Sequence, residues 1–386
     1  MLAGQPYPEL VEDVRLVRIP SLDLYREADA FRVPRPRELE SPADLVEVAT
    51  MLAGGFPEPR TFSLRAWSEL RARAGQFDVV HDDQSLGSGL VRMARDGWPV
   101  LASIHHPVTV DRSIDLQHAE GRARRIQLRR WYSFAGMQGR VARALPRVLT
   151  VSQSSRRDIV DQLGVAPEKV AVVPIGVDPA LHRPRPDVRR VPGRIMTTAS
   201  ADVPMKGLAH LLEGLAKVRT DHPEAHLVVV GRPRRDGPTL RLVEQLDLAG
   251  AVVFVSGESD ERLVERYAES SVAVVPSLYE GFSLPAAEAM ACGVPLVATC
   301  AGAIPEVAGR DGEHALLVPP RDAEALAAAL RRLLDDRSLA ARLGAAGRRR
   351  VLGRFTWSRA ARGTAEQYEA LLDMHGHRRR GGGTPC

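Results

Sequence analysis

Two glutamates stand eight residues apart after a short apolar run, and such a pair can bind a ligand rich in hydroxyl groups. The run Val272–Val275 predicts a buried strand; Glu280 lies on the turn after it and Glu288 about one turn inside the next predicted helix. Pro285 suits the first turn of that helix, whose N–H groups suit a phosphate. Taken alone, this spacing more often marks a surface turn with a capping glutamate. With the proline, it predicts a site for a phosphorylated, hydroxylated ligand.

Lys206 is a second candidate, because the chain rarely uses lysine. Only 3 of its 53 basic residues are lysines. Lys206 follows a predicted strand, Arg194–Thr198, and precedes a predicted helix over residues 207–220. An ammonium group there can neutralise a diphosphate as a point charge, although a solvated lysine at a helix start is the alternative.

His105 is the third candidate. It follows the predicted strand Val100–Ile104 in the sequence Ser103-Ile-His-His, so it lies where polar groups of a parallel sheet meet a ligand. A structural histidine with its hydrogen bonds satisfied inside the protein is the competing interpretation.

The composition of the chain limits the class of protein to which these candidate residues can belong. The chain has 386 residues, 44% hydrophobic and 26% charged, which excludes disorder as its main state and favours two globular domains. We find no apolar run of the ~18 residues that a spanning helix needs, and no secretory signal. Three cysteines, Cys292, Cys300 and Cys386, form neither a disulfide framework nor a metal-binding pattern. We therefore expect a cytoplasmic protein without a metal site.

Apolar strands alternate with helical segments along most of the chain, which predicts an α/β fold with parallel sheets covered by helices. A proline-rich stretch divides the strands into two groups, each a candidate doubly wound, Rossmann-like domain. We expect an N-terminal domain over residues 1–176, a linker over 177–193 and a C-terminal domain over 194–355. A closing helix over 356–374 and a disordered tail over 375–386 would follow, with the ligand in a cleft between the domains.

Four segments resemble one enzyme family. Glu280-Gly-Phe-Ser-Leu-Pro-Ala-Ala-Glu-Ala-Met-Ala resembles the E-G-F-G-L-P-x-x-E-A-M-A signature of the retaining glycosyltransferases of family 4. Residues 151–178, the Ala301-Gly-Ala-Ile-Pro-Glu turn and Phe355-Thr-Trp resemble other segments of that family. The resemblance implies the two-domain GT-B fold, with a C-terminal domain that binds a nucleotide-sugar and an N-terminal domain on the acceptor side.

The resemblance also implies roles for the candidates. Glu280 would contact hydroxyls of the donor sugar, Glu288 the ribose, and Lys206 the diphosphate. His105 would approach the donor sugar from the N-terminal domain. The backbone would hold the diphosphate and sugar through the amides of Gly281, Phe282, Ser283 and Leu284. One position departs from the family, because Ser200 stands where an arginine usually precedes the lysine by six residues, so another cation would have to substitute or phosphate binding would be weaker.

The implied reaction transfers a sugar from a nucleotide-sugar to an acceptor hydroxyl with retention of configuration. The nucleotide-sugar is a co-substrate, and no cofactor or metal is expected. The acceptor could be a glycan, a lipid or a small molecule. Two alternatives stay open, a GT-B sugar-nucleotide epimerase and a non-catalytic subunit that binds a sugar-nucleotide or a partner.

Two further features carry expectations. Residues 120–147 hold eight arginines and one acidic residue with interleaved aromatics. This pattern is typical of a segment that binds an anionic membrane surface or an anionic acceptor, or of a solvated face, and we expect no binding of nucleic acid.

The family's N-terminal domain opens with a strand, a Gly-rich loop and a helix, and no such loop precedes Val14. We therefore expect that a strand–helix unit of about 30 residues is absent, either because the true start lies upstream of Met1 or because the protein is truncated and its activity impaired.

Overall fold

Two parallel sheets organise the chain, one in each of two units, in a computed structural model that describes residues 1–26, 29 and 32–381. The side chains of residues 377–381 lie outside that description, as do residues 382–386 of the predicted disordered tail. Unit 1 contains Met1–Thr150, Arg156–Val172 and the chain from Ala365 onward. Unit 2 contains Val151–Ser155 and Val173–Thr364.

Unit 1 has a four-stranded parallel sheet and a separate two-stranded one. Its strands are β1 (Leu2–Ala3), β2 (Val17–Arg18), β3 (Val80–Asp83), β4 (Val100–Ile104), β5 (Arg147–Thr150) and β6 (Val170–Val172). The order β3-β4-β5-β6 is sequential, and β1 pairs with β2 alone. Its helices are α1 (Pro42–Leu52), α2 (Glu58–Arg71), α3 (Ser88–Arg95), α4 (Val108–His118), α5 (Gly121–Trp131), α6 (Ala135–Ala144) and most of α7 (Gln153–Leu163).

Apolar strands buried on both faces explain why this sheet is parallel and covered by helices. In β4 every residue except Ser103 is buried, and the core continues through helices α2, α3 and α6. Polar side chains reappear where the strands end, at Asp82 and Asp83 on β3 and at His105 after β4.

Unit 2 is built on a six-stranded, all-parallel sheet. Its strands are β7 (Arg194–Thr198), β8 (His226–Val230), β9 (Val252–Val255), β10 (Val272–Val275), β11 (Leu296–Thr299) and β12 (Leu316–Val318). Its helices are α8 (Leu208–Val218), α9 (Pro238–Gln245), α10 (Asp260–Glu269), α11 (Leu284–Ala291), α12 (Ile304–Ala308), α13 (Ala323–Asp335), α14 (Arg337–Arg354) and the start of α15 (Trp357–Gly381).

The strand order β12-β11-β10-β7-β8-β9 reverses beside β7, which has β8 on one side and β10 on the other. The loops that leave β7 and β10 therefore start at the point where the strand order reverses, and open α/β sheets bind ligands at such a point, outside the carboxyl ends of the strands. The α/β class with parallel, helix-covered sheets, predicted from the apolar strands, is confirmed.

Two helices differ from the sequence-based expectation. The sequence over residues 323–351, rich in Ala, Leu and Arg, predicts one long helix, but the structure has two. Asp336 leaves the helical conformation, and its carboxylate accepts a hydrogen bond from Leu339 N, 2.8 Å away, which starts α14. The last helix runs to Gly381, beyond Met374, where the sequence placed its end.

Candidate functional site

The loops after β7 and β10 meet at the point where the strand order reverses. Lys206 ends a short 3-10 helix, Pro204–Lys206, in the loop after β7. The loop after β10 lies against it, since Leu278 N donates a hydrogen bond of 2.7 Å to Met205 O. Gly207 permits this contact, because its φ is +66° and a Cβ there would lie 1.9 Å from Pro276 O.

Lys206 and Glu280 form an ion pair at this meeting point. Lys206 Nζ lies 2.9 Å from Glu280 Oε1, and Ser277 Oγ donates to the same oxygen over 2.7 Å. The Glu280 side chain is 12% exposed and that of Lys206 is 26% exposed, so both are partly shielded from water. An ammonium group beside a carboxylate can bind a phosphate and a sugar hydroxyl at neighbouring positions.

The backbone of Glu280 is fixed by the turn after β11. Ala303 N donates a hydrogen bond of 2.8 Å to Glu280 O. Gly302 has φ of +54°, and a Cβ there would lie 2.4 Å from the same carbonyl oxygen. The turn that resembles a family motif therefore positions Glu280. Its last residue, Glu306, has another function, because its carboxylate accepts hydrogen bonds from Gln153 N and Ser154 N and so caps α7.

Ser283 adopts a backbone conformation that favours glycine. It precedes α11 with φ of +91° and ψ of 75°, and its side chain makes no capping hydrogen bond. The residue is 3% exposed, and its Oγ has no hydrogen-bond partner among the described residues. The family signature has glycine at this position, and the left-handed backbone is the physical reason. An unpartnered buried hydroxyl at a helix N-terminus is a ready donor for a bound anion.

Gly281 and Phe282 hold the loop in place through packing. Phe282 is 5% exposed, and its ring meets that of Phe355 edge to face with 5.4 Å between centroids. Gly281 O accepts a hydrogen bond of 3.1 Å from Ser155 Oγ. The Phe282 side chain is thus a core residue, so only its backbone is available to a ligand. Leu284 is the first residue of α11.

Glu288 lies in a separate environment on α11, where its side chain is 19% exposed. Tyr267 OH donates a hydrogen bond of 3.3 Å to its Oε2, and His182 Nε2 lies 4.0 Å from its Oε1. Burial raises the pKa of Glu288 above its ordinary value, although the neighbouring His182 opposes the shift. A buried carboxylate with one weak donor has acceptor capacity left for the hydroxyls of a ligand.

His105 lies in unit 1, directly after β4. Its Nε2 is 2.8 Å from Asp83 Oδ1, and its backbone N–H donates to Gln84 Oε1 over 2.7 Å. The hydrogen bond from His105 lowers the pKa of Asp83, which burial alone would raise. Gln84 and Leu86 have φ of +60° and +47°, so the loop after β3 is strained beside this pair.

Ser200 lies two residues beyond β7 and is exposed. Sequence reasoning predicted Lys206, Glu280 and Ser283 at one edge of one sheet, and the structure brings these three to the loops around β7 and β10. It missed Ser277, Tyr267 and His182, which contact the two glutamates. Only Ser277 gave a signal, as a hydroxyl immediately after a buried strand. Within the described chain, no group of three His, Cys, Asp or Glu is arranged to hold a metal ion. None of the described helices is long and apolar enough to span a membrane.

Two family models match the chain. Residues 187–350 match glycosyl transferases group 1, and residues 23–181 match glycosyltransferase family 4. The first range holds Lys206 and both glutamates, and the second holds His105.

Named relatives and one solved structure agree with these matches. The MMP alpha-(1->4)-mannosyltransferase of Mycolicibacterium hassiacum is 50% identical over 96% of this chain and 90% of its own length. The D-inositol 3-phosphate glycosyltransferase of Kineococcus radiotolerans is 32% identical over 79% of this chain and 74% of its own. The structure of a sucrose-phosphate synthase from Thermosynechococcus elongatus superposes with a TM-score of 0.70 and 24% identity, over 96% of this chain and 87% of that one.

Proposed function

The chain belongs to glycosyltransferase family 4 and has the GT-B fold, and on that premise we propose that unit 2 holds the nucleotide-sugar at the carboxyl ends of β7 and β10. The glycosyltransferase activity and the nucleotide-sugar donor predicted from the sequence are confirmed by the family models and by the 50% identical transferase. These comparisons favour neither an epimerase nor a non-catalytic subunit. The pose of the donor and the roles of single residues are our proposal.

The Lys206–Glu280 ion pair is the observation that carries this proposal. The diphosphate binds beside Lys206 and the N-terminus of α11, where the Ser283 hydroxyl and the first amides of the helix donate to it. Glu280 then accepts hydrogen bonds from hydroxyls of the sugar, and Glu288 from those of the ribose. Because Lys206 pairs with Glu280 before any ligand binds, its ammonium is already oriented, which reduces the entropy lost on binding.

Transfer in this site relies on positioning and charge stabilisation. The bond between the anomeric carbon and the phosphate oxygen breaks, and a bond from that carbon to the acceptor oxygen forms on the same face. The acceptor proton passes to the departing phosphate oxygen, and configuration is retained because the new bond forms on the face from which the phosphate departs. Lys206, Ser283 and the α11 amides stabilise the negative charge that develops on the diphosphate. Residues of this chain therefore supply part of the charge stabilisation.

The identity of the sugar follows from the most similar of the relatives named above. At 50% identity over nearly the whole chain, we extend the name of the Mycolicibacterium enzyme to this protein and propose mannosyl transfer in an α-(1→4) linkage. Product analysis after incubation with a nucleotide-mannose and a mannoside acceptor tests this. A product with another linkage, or transfer of glucose in preference to mannose, would contradict it.

A cavity in unit 1 suits a sugar acceptor. It measures about 320 Å³ and combines the rings of Phe56 and Phe62 with the carboxylate of Glu58 and with Arg65. Aromatic rings with a few polar groups are the usual lining of a small-ligand site. Burial raises the pKa of Glu58, with help from Glu47 and Asp23, and Arg65 Nη1 is buried without a partner among the described residues.

We therefore propose that a sugar unit of a glycan acceptor binds in this cavity. Glu58→Gln should raise the KM for the acceptor several-fold and leave the dissociation constant of the donor unchanged. An unchanged acceptor KM would reject the assignment.

The arginines of α5 support a weaker proposal for an anionic partner surface. Of the residues of α5, only Leu128 is buried, and its exposed arginines are Arg122, Arg124, Arg125, Arg129 and Arg130. We propose that this face binds an anionic lipid surface. Sedimentation with phosphatidylglycerol vesicles, compared with phosphatidylcholine vesicles, tests it, and equal recovery in both pellets would reject it.

Two experiments test the donor site. Thermal-shift measurements with UDP-, GDP- and ADP-sugars should show one class that raises the unfolding temperature, because a ligand that binds only the native state stabilises it. Glu280→Gln should lower transfer on the order of 100-fold while the protein stays folded. Glu244→Gln, an exposed change of the same type in unit 2, is the matched control and should transfer normally. Transfer by Glu280→Gln at the control's rate would reject the role of Glu280.

A further inference from the structure

The candidate donor site carries too little positive charge for a diphosphate. Lys206 is its cation, and Glu280, 2.9 Å away, offsets that charge. A nucleoside diphosphate group brings two negative charges next to this carboxylate. Repulsion between like charges disfavours binding unless another cation lies within reach. The pairing of β7 with β8 indicates which residue supplies this second cation.

Arg232 and Ser200 each lie two residues beyond the last registered pair of β8 and β7, Val230 and Thr198. The two strands pair in parallel up to Thr198 and Val230. Their contact continues one residue further, since Ala199 N donates to Val230 O over 3.1 Å and a Cβ on Gly231 would lie 2.0 Å from Ala199 O. The next residue on each side is Ser200 and Arg232. Both are exposed, and both lie at the edge of the sheet to which Lys206 belongs.

The loop that carries Arg232 is anchored to the loop that carries Ser200. Asp202 accepts hydrogen bonds from Arg234 N over 2.6 Å and from Thr239 N over 3.2 Å. Burial alone would raise the pKa of Asp202, but these hydrogen bonds outweigh it and lower that pKa. Thr239 Oγ1 also donates to Ala201 O over 2.7 Å. These hydrogen bonds join the loop after β8 to the loop after β7, so Arg232 and Ser200 lie in connected loops.

The guanidinium of Arg232 forms no ion pair with any residue in the described part of the chain. Its neighbour Arg234 differs, since Arg234 Nε lies 3.6 Å from Asp202 Oδ2. An exposed arginine with no such partner, in a loop joined to that of an exposed serine at the carboxyl edge of the sheet, can bind a phosphate through its guanidinium.

We propose that Arg232 is the second cation of the donor site and binds the diphosphate of the nucleotide together with the Ser200 hydroxyl. This inference rests on the proposed donor site in unit 2. It assigns the charge deficit of that site to a residue on a different strand, β8, and it makes Asp202 a positioning residue, because Asp202 holds the loop of Arg232.

The test compares Arg232→Gln with Arg235→Gln, which makes the same change of charge at another exposed arginine of the same loop. Calorimetry measures binding of UDP, GDP and ADP and of the corresponding nucleosides. For the diphosphate that binds the wild type, Arg232→Gln should weaken affinity on the order of tenfold or more, because a charge-assisted hydrogen bond is lost. Affinity for the nucleoside should stay unchanged, and Arg235→Gln should bind the diphosphate within about twofold of the wild type.

A rescue variant tests the adjacency directly. Ser200→Arg added to Arg232→Gln places the guanidinium on the neighbouring strand end and should restore most of the lost affinity. Equal losses in the two single variants, no loss in Arg232→Gln, or no recovery in the double variant would each overturn the assignment. If the wild type binds none of the three diphosphates, the proposed donor site fails, and this inference fails with it. Normal binding by both wild type and Arg232→Gln rejects this inference alone.

Discussion

Replacement of Ser283 by glycine should stabilise unit 2, although it removes atoms from a buried position. The side chain is 3% exposed and sits on a backbone with φ of +91°. A residue with a Cβ in the left-handed region costs about 1–2 kcal/mol, whereas glycine adds about 0.5–1 kcal/mol of conformational entropy to be lost on folding. Relief of backbone strain therefore contributes a net stabilisation of about 0.5–1 kcal/mol.

The hydroxyl contributes a second, separable amount. Its Oγ is buried without a partner in the described structure, and such a group costs about 1–3 kcal/mol. Ser283→Ala removes this cost and keeps the strain, so it is the matched control. We expect unfolding free energies in the order glycine, alanine, wild type, with glycine about 1.5–4 kcal/mol above the wild type. For a unit of roughly 200 residues, each kcal/mol raises the unfolding temperature by about 2–4 °C.

Differential scanning calorimetry of the ligand-free protein measures this order, with the transition of unit 2 identified by the shift that the bound nucleotide-sugar causes. If the Ser283→Gly and Ser283→Ala variants melt together, the backbone is not strained and the reasoning from φ is wrong. If both melt at the wild-type temperature, the hydroxyl has a partner in solution. Both variants should bind the donor more weakly than the wild type, because the proposed donor hydroxyl is gone in each.

Three other changes have outcomes that the structure fixes. Gly207→Ala should lower the unfolding free energy by more than about 2 kcal/mol and abolish donor binding, because its Cβ would lie 1.9 Å from Pro276 O and displace the loop of Glu280; urea unfolding and calorimetry measure both. Glu288→Gln should be more stable than the wild type at pH 7 and equal to it near pH 4. Burial raises the pKa of Glu288 in the folded protein above its ordinary value of 4.5. The contribution of Glu288 to the unfolding free energy is therefore fully present below pH 4.5 and is lost as the pH rises through the pKa of the folded protein; unfolding temperatures across this range measure the effect. Arg65→Ala should cost unit 1 about 3–5 kcal/mol in urea unfolding, because it leaves two buried carboxylates unpaired.

The parallel sheets and the main site loop were predictable because their signals are local. Four nearly continuous apolar residues mark β10, and the glutamate after them must lie at the carboxyl end of that strand. The break between α13 and α14 was missed because both sides of Asp336 are equally rich in Ala, Leu and Arg, and one capping hydrogen bond decides it.

The remainder of the site depends on pairings between distant segments. Nothing near Ser200 in the sequence indicates that Arg232 lies in a connected loop, since only the pairing of β7 with β8 brings the two strand ends together. The partners of Glu288 come from α10 and from the proline-rich stretch at His182, which no spacing rule connects. The roles of His105 and Ser200 in binding remain predictions.

The chain passes between its two units four times, after Thr150, within α7, after Val172 and within α15, and this limits how the protein can be divided into fragments. A cut within the proline-rich stretch would release an N-terminal fragment without Tyr368 and Gln367. In the intact protein Tyr368 OH lies 2.7 Å from His81 Nδ1, and Arg147 Nε donates to Gln367 Oε1 over 2.8 Å. The fragment would therefore lack the partners of His81 Nδ1 and Arg147 Nε, and adding the last helix back as a separate peptide should restore both hydrogen bonds.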